Sequence, residues 1–345
     1  MAFKNWDKVQ IKTDDGKIIE GIAPIIISAS RSTDIPAFHS KWFINRLNKG
    51  YVKWTNPFNQ VPQYVSFEKT RVIVFWTKNG EPILPFLKEI ENKGINYYFQ
   101  FTLNDYEKEG LEPSVPKLDE RIATFKKLSN IIGKNKVIWR FDPLILTDKI
   151  SVEQLLNKIE NIGNAINDYT NKLVISFADI EQYAKVKRNL TAAGFKYKDF
   201  DTNNLEQICE GIQKINETWG LEIATCAEGL SFAKYNIKHN KCIDDDLLIK
   251  LFRNDTVLMD FLCPKKEKKV GLSAFGGGSE PEIICDNLKD KGQRKECGCI
   301  VSKDIGQYNT CGHLCVYCYA NYSEKVVRKN LSERQTDTGE SIFGD

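Results

Sequence analysis

Histidine is scarce in this chain, with three in 345 residues: His39, His239 and His313. A hydrolytic metal centre built from several imidazoles is therefore not expected. No apolar run approaches the roughly 20 residues that span a bilayer. The opening Met-Ala-Phe-Lys-Asn-Trp-Asp carries charges where a secretory leader has its apolar centre. The expectation is a cytoplasmic protein with no membrane partner. Neither sign of charge dominates, with 49 lysines and arginines against 46 aspartates and glutamates. Strong nonspecific attraction to nucleic acid does not follow from that balance, although a local basic groove leaves a nucleic-acid partner open. No glycine-rich dinucleotide fingerprint follows the first strand-like run. The glycines at 276–278 lack the Gly-Lys-Ser or Gly-Lys-Thr ending of a phosphate loop and read as a hinge.

The chain has an ordinary globular composition, 41% hydrophobic and 28% charged, enough for a sizeable core. Alternation at 9–12, turn residues Asp14, Asp15 and Gly16, and a second run at 17–19 predict an N-terminal hairpin over residues 1–22. Short runs rich in β-branched and aromatic residues then recur at 23–29, 71–76, 97–101, 137–141, 173–177 and 221–226. Their length and composition predict strands. Helical patterns separate them at 40–47, 82–92, 118–132, 151–161, 180–194 and 205–219, several ending at glycine just before the next strand. Ser151 with Gln154 three residues on predicts a capping box.

Six strand-plus-helix units with nearly continuous apolar strands predict an α/β fold. A TIM-like full or partial (β/α) barrel over 23–241 is favoured, and an open doubly wound sheet would give a similar linear pattern. From 242 to 345 the rhythm changes to a cysteine-rich region, with one helix at 244–253 and charged links, expected to pack on the barrel. In such folds the loops after the strands carry chemistry. Here those loops hold Arg31, Asp34, Lys78, Arg140, Asp142, Asp179 and Glu228. Arg31 and Lys78 suit an anionic ligand, and Asp34 suits a ribose hydroxyl or a helix cap. Arg140 and Asp142 form a pair that is either architectural or part of the barrel mouth. Asp179 and Glu228 suit an amine or acid–base work. Trp54, Trp76 and Trp139 offer stacking faces or simple core packing.

Ten cysteines in a chain with no leader-like start favour metal binding over a disulfide scaffold. Cys209 sits in a helical pattern and reads as a small buried hydrophobe. Cys311, Cys315 and Cys318 have gaps of three and then two residues. Three thiolates so spaced suit a [4Fe-4S] cluster with one iron lacking a local cysteine, and zinc is the alternative. Cys297 and Cys299 form a second pair. With two of Cys226, Cys242, Cys263 and Cys285, of which Cys226 and Cys242 are preferred, they suit a second iron–sulfur cluster or a zinc site. One of the pair is otherwise a fourth ligand to the first cluster.

The run Cys311-Gly-His-Leu-Cys315-Val-Tyr317-Cys318 resembles the signature of radical S-adenosylmethionine enzymes, and its extension resembles the spore-photoproduct-lyase-like branch. The resemblance implies a βα barrel whose open iron binds S-adenosylmethionine and cleaves it reductively. An electron donor such as ferredoxin or flavodoxin and a small-molecule substrate would then be partners. In that superfamily the motif follows the first barrel strand, whereas here it comes after all six predicted strands. His313 and Tyr317, inside the motif, become candidate cofactor contacts. The whole chain, from Ser28-Ala-Ser-Arg-Ser-Thr-Asp34 through Phe75-Trp-Thr-Lys78 to the cysteines, resembles the family termed domain of unknown function 1848, which implies no substrate. Alternatives of other classes are a nonradical electron-transfer or Lewis-acid iron–sulfur protein and a zinc-stabilised nucleic-acid-binding module.

Overall fold

Runs of β-branched and aromatic residues pair into sheets here, and the glycines after the helices turn the chain back toward them. The computed structural model describes residues 5–264, 288–333 and 337–343. Its strands, in chain order, are β1 (Asp7–Lys12), β2 (Ile18–Ala23), β3 (Ile26–Ala29), β4 (Tyr51–Thr55), β5 (Pro62–Ser66), β6 (Val72–Thr77) and β7 (Asn96–Thr102). They continue with β8 (Val137–Leu144), β9 (Leu146–Thr147), β10 (Lys172–Phe177), β11 (Tyr197–Lys198), β12 (Glu222–Thr225), β13 (Ile237–His239) and β14 (Lys303–Asp304).

Eight of these form one sheet in the order β13-β12-β10-β8-β7-β6-β3-β14. Every pairing in it is parallel. All six predicted strands belong to it. The two edges, β13 and β14, do not pair with each other among the described residues, so the sheet is open in the manner of a partial barrel. β14 was not predicted, because two polar residues carry no strand signal. It lies beside β3, with Lys303 opposite Ile27 and Asp304 opposite Ser28. The predicted hairpin is β1 with β2, and β5 and β4 extend it into a four-stranded sheet.

Side chains alternate across the main sheet, as strands require. One face carries Ile27, Ile73, Phe75, Phe99, Trp139 and Ile175, packed against the helices. The opposite face carries Ile26, Val72, Val74, Tyr98, Ile138 and Val174, packed against Cys242, Ile243, Leu248, Cys299 and Ile300. Two residues further along the same strands, that face presents Trp76, Gln100, Arg140 and Ser176. The period of two thus changes an apolar floor into a polar one at the strand C-terminal ends.

The helix Leu118–Ile132 has its predicted bounds. Ser151 and Gln154 form both halves of the capping box on Val152–Ile166. The pattern predicted as one helix over 82–92 is a 3₁₀ turn, Glu81–Phe86, followed by Leu87–Asn92. Pro82 and Pro85 explain the difference, since neither can donate a backbone hydrogen bond. Helices Val152–Ile166 and Thr202–Trp219 meet where Gly163 faces Trp219. A Cβ at Gly163 would stand 2.1 Å from the indole ring. Gly163→Ala is expected to lower stability by about 2 kcal/mol through overpacking, measured by urea denaturation. Among the described residues no helix is long and apolar enough to cross a membrane.

Candidate functional site

The polar ends of the parallel strands border a cavity of about 620 Å³. Every loop residue proposed from the sequence lies on its wall: Arg31, Asp34, Lys78, Arg140, Asp142, Asp179 and Glu228. So do His313, Tyr317 and seven cysteines, Cys226, Cys242, Cys297, Cys299, Cys311, Cys315 and Cys318. Of the three tryptophans singled out, Trp76 is on the wall, Trp139 is fully buried in the core, and Trp54 donates to Gly306 O at 2.9 Å elsewhere. Cys285 and the glycines at 276–278 lie outside the described residues, and Cys263 does not border the cavity. Cys209 is buried in its helix, as its pattern predicted.

The loop after β14 carries Cys311, Cys315 and Cys318 over the end of the sheet. Leu314 takes a left-handed φ of 53°, and Cys318 N donates to Cys315 O at 3.0 Å, which together turn the loop tightly. Its outer side is tied down at three points. Asn321 Nδ2 donates to Cys311 O at 2.9 Å, His39 Nε2 meets Thr310 O at 3.0 Å, and Val316 N donates to Leu111 O at 2.9 Å. Gly312 lets the loop approach Phe38, whose ring would lie 2.7 Å from a Cβ there. Burial pushes the Cys311 thiol up to about 12, with Asp34 and Cys318 adding to the effect. Burial also raises Cys315 well above the usual thiol range, against the pull of Lys78. Cys311 and Cys315, placed where their own ionisation is unfavourable, suit a bound cation, whose charge reverses that penalty.

Asp34 links this loop to the sheet. Its Oδ1 accepts from Ala37 N at 2.9 Å and caps the short helix Ile35–Phe38. Its Oδ2 accepts from Lys78 N at 2.7 Å and meets His313 Nε2 at 2.8 Å. His313 Nδ1 faces Ser114 O at 3.5 Å and its ring packs edge-on against Phe38. With both nitrogens turned to oxygen atoms, His313 braces the loop and is not placed as a metal ligand.

Lys78 and Tyr317 are committed to a buried network around Glu112, a residue the sequence reading missed. Lys78 Nζ lies 2.7 Å from Glu112 Oε1 and 3.0 Å from Tyr317 Oη. Tyr317 also donates to Glu112, Asn104 Nδ2 donates to it at 3.2 Å, and Arg121 Nη1 stands 3.9 Å away. Burial pushes the Glu112 carboxyl up, but Lys78 and Arg121 outweigh it and hold it below its ordinary 4.5. A carboxylate so depressed contributes stability above the unfolded value, and the contribution is lost as pH falls through the lower folded value. Glu112→Gln is expected to cost about 3 kcal/mol at pH 7. The gap from wild type should narrow as the pH drops below about 4, read by urea denaturation across pH.

Across the cavity, Arg140 donates to Asp142 Oδ2 through Nε at 2.9 Å and to Gln100 Oε1 through Nη1 at 3.1 Å. Ser176 donates to the other oxygen of Asp142. Phe177 N donates to Glu228 Oε1 at 3.0 Å, and burial raises the Glu228 carboxyl above its ordinary range. Arg31 lies over the Trp76 ring at 5.0 Å, and its Nη2 is buried with no hydrogen-bond partner among the described residues. Asp179 also borders the cavity.

The other four cysteines also border the cavity, with no three of their sulfur atoms all within 4.8 Å of one another. Cys226 Sγ and Cys242 Sγ are 3.3 Å apart, and Cys299 Sγ accepts from Cys242 N at 3.2 Å. Cys242 is drawn well below the usual thiol range by hydrogen bonds from Cys226 and Cys299 and by the charges of Arg140 and Arg31. Cys297, beside Cys299, is drawn down to about 6. Away from the cavity, Asp244, Asp245 and Asp246 hold ligand oxygens within 4.8 Å of one another, a candidate metal-binding cluster. Its charge is already met in part, because Lys172 pairs with Asp244 and Lys241 pairs with Asp245 and Asp246. Asp244 also caps the helix Asp245–Phe252.

No curated protein matches the chain. Among solved structures, the crystal structure of a candidate alpha-L-fucosidase from Bacteroides thetaiotaomicron VPI-5482 is similar at 11% identity, over 56% of this chain and 73% of that one, with a TM-score of 0.22. So loose a likeness carries no argument. Residues 26–320 match the family described as Domain of unknown function (DUF1848), and the chain belongs to that family.

Proposed function

We propose that this protein is an iron–sulfur enzyme in which Cys311, Cys315 and Cys318 hold a [4Fe-4S] cluster with one open iron, facing a small-molecule substrate in the cavity. The observation that carries the reading is the position of those cysteines. They lie on the loop after an edge strand of a parallel sheet, at the end where the polar residues gather. From that edge the strands run β14, β3, β6, β7, β8 and β10. The cysteine loop therefore follows the first strand in space, though not in sequence. That is the arrangement a radical S-adenosylmethionine barrel would have if its first strand were moved to the chain's end.

When bound, the cluster supplies an electron and a chelation site for the amino and carboxylate groups of a sulfonium ligand. The remaining roles fall to the protein. Asp34 and His313 hold the cysteine loop, and the Lys78–Glu112–Tyr317 network supports it from below. Arg31, whose guanidinium lies over the Trp76 ring on the cavity wall, meets a carboxylate or a planar group. Asp142 is held by Arg140 and Ser176 and orients polar substrate groups. Glu228, whose carboxyl burial pushes above its ordinary range, is the acid–base group at the wall. A low-potential donor such as ferredoxin or flavodoxin would deliver the electron.

A nonradical reading uses the same open iron as a Lewis acid on the substrate. It is favoured by the number of thiols that wall the cavity, since metal binding needs no sulfonium cleavage. Anaerobically isolated full-length protein, given reductant and S-adenosylmethionine, is expected to bind iron and sulfide and to release 5′-deoxyadenosine. Iron and sulfide without that product would favour the Lewis-acid reading. Zinc alone, with salt-sensitive binding to nucleic acid, would replace both with a zinc-stabilised nucleic-acid-binding module.

A further inference from the structure

Four cysteines outside the open-iron loop reach the same cavity wall from three separate stretches of chain. Cys226 follows β12, Cys242 follows β13, and Cys297 and Cys299 lie just ahead of β14. Cys226 Sγ and Cys242 Sγ stand 3.3 Å apart. Cys299 Sγ accepts backbone N–H groups from Cys242 at 3.2 Å and Ile243 at 3.4 Å. Cys242 Sγ in turn receives Arg140 Nη1 at 3.1 Å and Asn240 Nδ2 at 3.4 Å. Gly298 brings the turn close, since a Cβ there would stand 3.0 Å from Lys241 Cγ and 3.5 Å from Asn240 O.

N–H groups directed at sulfur from backbone, amide and guanidinium alike suit the thiolate form that cysteines take on a metal. Cys242 and Cys299 are buried, 5% and 1% exposed, and burying several thiolates together is costly without a cation. Arg140 is already paired with Asp142, so it cannot neutralise them alone. The buried Arg31 guanidinium lies on the same wall and faces Cys299, Asp304 and Cys242.

We propose that Cys226, Cys242, Cys297 and Cys299 form a second metal centre, closed by four thiolates and taking a soft cation, either zinc or the irons of an iron–sulfur cluster. Four protein ligands leave no position for substrate, so this centre holds structure and charge. It ties the ends of β12 and β13 to the segment that leads into β14. It also fixes Arg140, because the guanidinium that reaches Cys242 grips Asp142 at the cavity wall. The proposal goes beyond the open-iron reading and stands independently of it.

The test removes the open-iron ligands and counts what metal stays. The triple variant Cys311→Ala, Cys315→Ala, Cys318→Ala of the full chain, isolated anaerobically, is expected to keep stoichiometric metal. Retained iron with sulfide identifies a cluster, and one equivalent of zinc identifies a mononuclear site; either supports the centre. Adding Cys226→Ala and Cys299→Ala should remove that metal. Loss of all metal from a triple variant that retains wild-type circular dichroism would overturn the proposal. A wild-type count provides a check that does not depend on variant folding. Wild-type metal equal to one cluster that the triple variant loses entirely, or a Cys226–Cys242 disulfide in peptides alkylated under anaerobic conditions, would also overturn it.

Discussion

Cys315→Ala is expected to remove the iron and sulfide of one [4Fe-4S] cluster from anaerobically isolated protein and to reduce 5′-deoxyadenosine formation by on the order of 10³-fold or more. The size of the effect follows from geometry. Cys315 is the middle ligand of the loop, and its neighbours Cys311 and Cys318 cannot hold a cluster by themselves once the third thiolate is gone. The fold should survive, because the loop is tied by contacts that do not involve the Cys315 sulfur: Asn321 to Cys311 O, His39 to Thr310 O, and Val316 to Leu111. The measurements are iron and sulfide per chain, circular dichroism and product formation. A variant that kept the full cluster would remove Cys315 from the ligand set.

Asp34→Ala is expected to cost about 4 kcal/mol of stability and to lower cluster occupancy at the same time. One carboxylate caps Ile35–Phe38, receives the Lys78 amide after β6 and receives His313 within the cysteine loop. Removing it leaves three donors unsatisfied, two of them at the base of the site. His313 is 2% exposed and Asp34 6%, so water cannot readily replace the lost partner. Asp34→Asn keeps one acceptor oxygen and should cost about half as much. Urea denaturation of the metal-free protein separates the stability loss from the loss of cluster. Equal stability of Asp34→Ala and wild type would contradict this role.

The strands that hold the site were legible because their chemistry is local. Val72–Thr77 and Asn96–Thr102 are dense in β-branched and aromatic side chains, and a strand is the element that packs them on two faces. The residues after them were legible as a site because charged side chains at strand ends are costly to place unless something uses them. Lys303 and Asp304 gave no such signal. They join the sheet through backbone pairing with Ile27 and Ser28, supported by Ser28 Oγ donating to Asp304 at 2.7 Å. That contact spans most of the chain, and its effect is large, because it places a cysteine motif that follows the other sheet strands in sequence on the edge of that sheet.

Glu112, Asn104 and Arg121 were missed for a related reason. Asn104 and Glu112 sit between β7 and the helix Leu118–Ile132, in a stretch whose polar residues look like an ordinary solvated loop, and Arg121 lies within the start of that helix. Only the return of Tyr317 from about two hundred residues away buries them. His313 shows the reverse case. Its place in the motif suggested cofactor contact; it borders the cavity, and its hydrogen bond with Asp34, which braces the loop, had no sequence signal.

The most direct measurement is electron paramagnetic resonance of the reduced, anaerobically isolated full chain, recorded with and without S-adenosylmethionine. An open iron held by Cys311, Cys315 and Cys318 predicts a reduced-cluster signal that changes when the ligand is added and that is missing from Cys315→Ala. A chain that carries only zinc, or a cluster signal indifferent to both the ligand and the substitution, would contradict it.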